Sequence, residues 1–125
     1  MMATGLWRSV CQADQLPRER GVAALVDGAQ IALIRAADDA VYAVGHRDPY
    51  SKANVIARGI VGSTLVDGVE VPTIASPMYK QIFDLRDGRC LAEPDVCLGS
   101  WAVRVVDGDV HVGACRIEPT EVDDG

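Results

Sequence analysis

An all-β domain, built as an antiparallel sandwich or barrel, is the fold this sequence predicts, and three observations predict it. Short apolar runs alternate with Gly, Asp and Pro at hairpin spacing. Asp-Gly pairs punctuate those runs at Asp27-Gly28, Asp67-Gly68, Asp87-Gly88 and Asp107-Gly108. Glycine accepts positive φ and aspartate bonds its own backbone, so the pair suits tight turns. No stretch sustains apolar residues at a helical period.

Each element follows in order. Residues 21–26 and 30–35 form a hairpin across Asp27-Gly28, and Asp38-Asp39 turns the chain into a strand at 41–44. Residues 51–60 are read as a short helical turn or irregular loop, limited by Gly59 and Gly62. Residues 64–67 pair with 69–74 across Asp67-Gly68. In the last hairpin, Trp101, Val103 and Val105 alternate with Ala102, Arg104 and Val106 before Asp107-Gly108 returns the chain through 109–112. Eight to ten strands result. Residues 5–117 are read as one domain and 118–125, with Glu121, Asp123 and Asp124, as an acidic, flexible tail.

Composition bounds the function. The 125 residues and 49% hydrophobic content fit a single domain with its own core. A net charge of −6 offers no basic patch for phosphate, which argues against nucleic acid and against an anionic membrane surface. No apolar run is long enough to span a bilayer, and the first residues lack a signal-peptide pattern, so a cytoplasmic location is expected. In that compartment Cys11, Cys90, Cys97 and Cys115 are expected to be free thiols, packed as small residues.

Two loops carry the remaining information. Asp48-Pro49-Tyr50 follows the strand at 41–44, and Ser76-Pro77-Met78-Tyr79-Lys80 follows the strand at 69–74 and leads into Ile82-Phe83-Asp84-Leu85-Arg86-Asp87-Gly88. This frame resembles a Rieske iron–sulfur domain, which has Cys-Pro-His in the first place and Cys-Pro-Trp-His-Gly in the second. The resemblance covers residues 7–116 and implies the Rieske-like fold, with an inserted subdomain of loops. A Rieske centre holds one iron by two thiolates and the other by two imidazoles. The four corresponding positions here are Asp48, Tyr50, Ser76 and Tyr79, all hard oxygen donors unsuited to such a cluster. No metal or cofactor is therefore expected in this chain.

Within that fold family the chain is similar to the small subunits of assimilatory NAD(P)H-dependent nitrite reductase. Those have an Asp-Pro-aromatic loop and Ala-Ser-Pro before Lys-Gln-x-Phe-x-Leu-x-Asp-Gly-x-Cys. The matching residues are Ala75-Ser76-Pro77 and Lys80-Gln81-Ile82-Phe83-Asp84-Leu85-Arg86-Asp87-Gly88-Arg89-Cys90. The resemblance implies a non-catalytic subunit giving structural or regulatory support. Its partner would be a large subunit that holds FAD, siroheme and an iron–sulfur cluster and reduces nitrite to ammonium. The alternatives are a Rieske-type ferredoxin carrying electrons on unusual ligands, and a free-standing protein-binding module on a degenerate fold.

Individual residues carry two readings each. Asp48 is a metal ligand or base, or a turn former bonding the backbone two residues on. Tyr50, Met78 and Tyr79 either fill the vacated cluster space alone or, with Pro49, Pro77 and Lys80, form a partner-facing surface. Arg47, Lys52 and Lys80 place positive charge at this tip of an acidic protein. His46 is expected to be a hydrogen-bonded surface residue, and His111 to face solvent.

Overall fold

The computed structural model describes residues 7–78 and 80–120. Among them run nine strands: β1 (Arg8–Gln12), β2 (Arg20–Val26), β3 (Ala29–Arg35), β4 (Val41–Gly45), β5 (Ile60–Val66), β6 (Val69–Ala75), β7 (Ile82–Asp84), β8 (Ser100–Val106) and β9 (Asp109–Ile117). Six of them pair antiparallel in the order β1-β9-β8-β4-β3-β2. The two outer strands approach each other, where Arg8 Nε reaches Asp27 at 3.1 Å, so the sheet curls into a nearly closed barrel. The other three, in the order β5-β6-β7, make a small sheet inserted between β4 and β8. The all-β expectation holds.

Three of the four Asp-Gly pairs close two-residue hairpins. Asp27, Asp67 and Asp107 have φ of 49°, 53° and 51°, and the following glycines 85°, 80° and 80°. Positive φ at both central residues matches the strand twist on either side. The fourth pair works differently. Only Gly88 is left-handed there, and a Cβ on it would lie 2.7 Å from the Gly99 carbonyl oxygen. Its N–H donates to Asp84 O and its carbonyl accepts from Leu98 N, tying the turn after β7 to the approach to β8.

The β3–β4 pair is the wall between two cores. Ile31 and Leu33 face one cluster with Leu16, Val110 and Val112, while Ala32 and Ile34 face the other with Ile74, Phe83, Leu85 and Leu98. On β4, Ala43 belongs to the first cluster and Val44 to the second. Being buried on both faces, β3 carries an unbroken apolar run instead of an alternation. Each such side chain stabilises by roughly 1.5–3 kcal/mol. The second cluster lies under the inserted sheet and roots the two loops.

The expected helical turn in 51–60 is a single 3-10 turn, Ile56–Arg58, with Ile56 and Ala57 buried. At the C-terminal end, contacts continue past β9. Thr120 N donates to Cys97 O at 2.9 Å, and its hydroxyl accepts from Cys97 N at 2.9 Å and donates to Asp95 O at 3.1 Å. The portion of the expected tail up to Thr120 is thus fastened to the barrel, and residues 121–125 lie outside the described residues.

Candidate functional site

The two loops share one backbone construction. In the first, Asp48 N donates to Ala53 O at 2.9 Å and Lys52 N to Asp48 O at 2.7 Å. In the second, Ser76 N donates to Gln81 O at 2.9 Å and Lys80 N to Ser76 O at 3.0 Å. Each leading side chain caps its own turn: Asp48 Oδ1 accepts from Tyr50 N at 2.8 Å, and Ser76 Oγ accepts from Met78 N at 3.2 Å. Both loops close on a lysine with φ of 63°, Lys52 and Lys80. Their common pattern, polar-Pro-x-x-Lys, is visible in the sequence and is the signal that could have announced this equivalence.

The loops meet through their first residues. The Ser76 hydroxyl donates to Asp48 Oδ2 in a short hydrogen bond, and both side chains are buried. The resemblance read from the sequence places the two thiolates of a Rieske centre at these positions. The Asp48 carboxyl also accepts from Ser51 N at 3.4 Å, so it acts as the turn former and as the clasp between loops.

Tyr50 turns inward. Its hydroxyl donates to Glu93 Oε1 and lies 3.7 Å from Cys90 Sγ, and its ring packs against the second core cluster. Burial, helped by the Glu93 and Cys90 contacts, pushes the phenol well above its ordinary pKa, so it stays protonated at any physiological pH. The roles of Cys90 and Glu93 were not legible beforehand, since they lie on a distant segment. Tyr79 lies outside the described residues. Pro49 is buried, whereas Pro77, Met78 and Lys80 are exposed.

Expectations about the two histidines change. His46 is buried at the root of the first loop, not on the surface, and its Nδ1 accepts from Ala57 N at 3.1 Å. Burial, then the charge of Arg58, lowers its pKa and favours the neutral ring. His111 is only half-buried and held by Asp109 at 2.7 Å and by the Arg104 guanidinium at 3.3 Å, so it is less open than expected. Cys90 and Cys97 are buried, and burial raises the Cys97 thiol. Cys115 is pushed up to about 11 by burial and by Glu118. Thiols of this kind are poor nucleophiles.

A [2Fe–2S] cluster does not fit this arrangement. Its thiolate positions carry a carboxyl and a hydroxyl already bonded to each other, and one imidazole position carries a phenol turned toward Glu93. Among the described residues no group of three or more His, Cys, Asp or Glu is arranged to hold a metal ion.

Fold and site together define a Rieske-like domain whose two end loops present the oxygen side chains Asp48, Tyr50 and Ser76. Comparison with known proteins agrees: the model of the Rieske-like [2Fe-2S] domain matches residues 6–113. The chain is 32% identical to the nitrite reductase (NADH) small subunit of Escherichia coli (strain K12), over 85% of this chain and 95% of that one. It is 34% identical to the nitrite reductase [NAD(P)H] small subunit of Erwinia carotovora, whose solution structure superposes with a TM-score of 0.72 over 97% of this chain and 90% of that one. This chain belongs to the family of nitrite reductase small subunits, within the Rieske-like domains. It is also 39% identical over 86% of its length to part of the nitrite reductase [NAD(P)H] large subunit of Klebsiella oxytoca, of which it spans 11%.

Proposed function

We propose that this chain is the cluster-free small subunit of an NAD(P)H-dependent nitrite reductase and is inactive alone. In this reading the large subunit holds FAD, siroheme and an iron–sulfur cluster, takes hydride from the nicotinamide and reduces nitrite to ammonium. The small subunit supplies a rigid β-domain that stabilises or tunes its partner. The reading carries with it a cytoplasmic location and no contact with nucleic acid or membrane. One observation supports it above the others: Asp48 and Ser76 clasp each other where two thiolates would otherwise grip iron. Electron transfer through this chain then has no carrier, and redox work belongs to the partner.

The test is purification from cells grown on nitrite, followed by iron analysis and a nitrite-dependent NAD(P)H oxidation assay. The isolated chain is expected to be colourless, iron-free and inactive, and to co-purify with a large flavin- and siroheme-bearing chain. A paramagnetic diiron signal from the isolated chain would restore the ferredoxin reading. Recovery of no large chain under several growth conditions would favour a free-standing binding module.

A further inference from the structure

The inserted sheet carries an apolar row anchored by two exposed isoleucines. Ile60 on β5, Ala75 on β6 and Ile82 on β7 stand directly opposite one another, so their side chains share one face. Half-buried Leu91 extends the row, its N–H donating to Ile82 O at 2.9 Å. Ile60 is 75% exposed and Ile82 43%. The row crosses the end of the sheet from which the 76–80 loop departs, and Met78 in that loop is exposed as well. Other exposed apolar residues, such as Leu25 and Leu65, stand beside hairpin turns as single side chains, which is ordinary for a folded surface.

Charge singles out the same end. Exposed Arg58 precedes Ile60 by two residues and exposed Lys80 precedes Ile82 by two, on a chain whose net charge is −6. An apolar centre with a cationic rim is the pattern of a protein-binding face.

We infer that the Ile60–Ala75–Ile82 row, rimmed by Arg58, Met78 and Lys80, is the face on which the nitrite reductase large subunit docks. This rests on the small-subunit reading above. The matching surface would be an apolar strip bordered by carboxylates. The Klebsiella oxytoca relative argues for this occupant, because there a domain similar to this chain is covalently part of a large subunit. The inference also narrows the interface expected from sequence, since Pro49 is buried and Tyr50 is turned toward Glu93. The second loop and the sheet end beside it carry the contact, while the first loop holds them in place.

The experiment measures binding of the full-length chain to its cognate large subunit by titration calorimetry, with thermal melting as the folding control. Ile60→Asp with Ile82→Asp should weaken binding by at least about tenfold, since central apolar anchors dominate interfaces. Leu25→Asp with Leu65→Asp should leave affinity within about twofold. If the aspartates disturb folding, Ile60→Ser with Ile82→Ser replaces them and should weaken binding in the same direction. Unchanged affinity in the row variant, or equal loss in both pairs, overturns the docking face while leaving the small-subunit reading intact. So does a wild-type homodimer that the row variant disrupts without loss of large-subunit binding. A wild-type chain that binds no large subunit overturns the small-subunit reading itself.

Discussion

The loops at 48–52 and 76–80 have the same backbone and opposite environments. Each closes on a left-handed lysine and is capped by its own first side chain. Yet Asp48 and Pro49 are buried and Tyr50 points into the molecule, while Pro77, Met78 and Lys80 stand in solvent. In a cluster-bearing Rieske domain both loops serve one metal centre and their environments are bound together. Under the cluster-free reading proposed above, that constraint is absent. Here the first loop has become part of the core and the second a free surface. In both loops, hydrogen bonds to the first side chain close the turn.

The largest effect should come from breaking the clasp between the loops. Asp48→Ala removes the acceptor for Tyr50 N and for the Ser76 hydroxyl in a fully buried place. Leaving buried donors unpaired should cost about 3 kcal/mol, read as a lower denaturation midpoint at unchanged slope. Asp48→Asn keeps one acceptor and should cost about 1 kcal/mol. If both variants melt like the wild type, the first loop is not part of the core and the contrast between the loops fails.

A smaller effect separates the two loops directly. Tyr50→Phe deletes the hydrogen bond to Glu93 and should destabilise by about 1 kcal/mol without altering partner binding. Met78→Ala should do the reverse, leaving stability within about 0.5 kcal/mol, as expected for an exposed side chain, while weakening assembly. Thermal melts paired with a co-purification assay distinguish these outcomes. A Met78 variant that melts early but assembles normally would instead assign the second loop to the core.

The next effect is a slope with pH. His46 is held with a lowered pKa by burial and by Arg58, so the unfolded chain binds its proton more readily than the folded one. Stability should therefore fall as pH drops through the unfolded histidine range near ~6.5, and be unaffected by this group at higher pH. His46→Gln should flatten that part of the profile in urea titrations between about pH 7.5 and 5.5. An unchanged slope would place the pH sensitivity elsewhere.

Much of this was legible in the residues, and the exceptions have physical causes. Three Asp-Gly pairs announced their hairpins because a two-residue turn is decided locally, by φ at two positions. Asp87-Gly88 looked the same and behaves otherwise because its geometry is set by Gly99, eleven residues later in the chain. That Asp48 and Ser76 offer oxygen donors could be read from the sequence alone. The hydrogen bond between them required the two strands that deliver them. Tyr50 reaching Glu93, and His46 being buried under the 3-10 turn at Ile56–Arg58, depend on long-range packing that no local pattern encodes. The docking row was hidden for a related reason: Ile60, Ala75 and Ile82 become neighbours only through strand register.

The smallest expected effect probes what the loops still share. Lys52 and Lys80 both occupy left-handed backbone, where a side chain costs roughly 1 kcal/mol relative to glycine before the greater freedom of an unfolded glycine is counted. The Rieske pattern puts glycine at the second of these positions, consistent with that geometry. Lys80→Gly should therefore stabilise the domain by a few tenths of a kcal/mol, or leave it unchanged. The same change should weaken large-subunit binding if Lys80 belongs to the cationic rim of the docking row. Urea midpoints and binding titrations on one preparation read both quantities. Loss of stability in Lys80→Gly would mean that the lysine side chain, and not the hydrogen bonds at Ser76, holds the second loop closed.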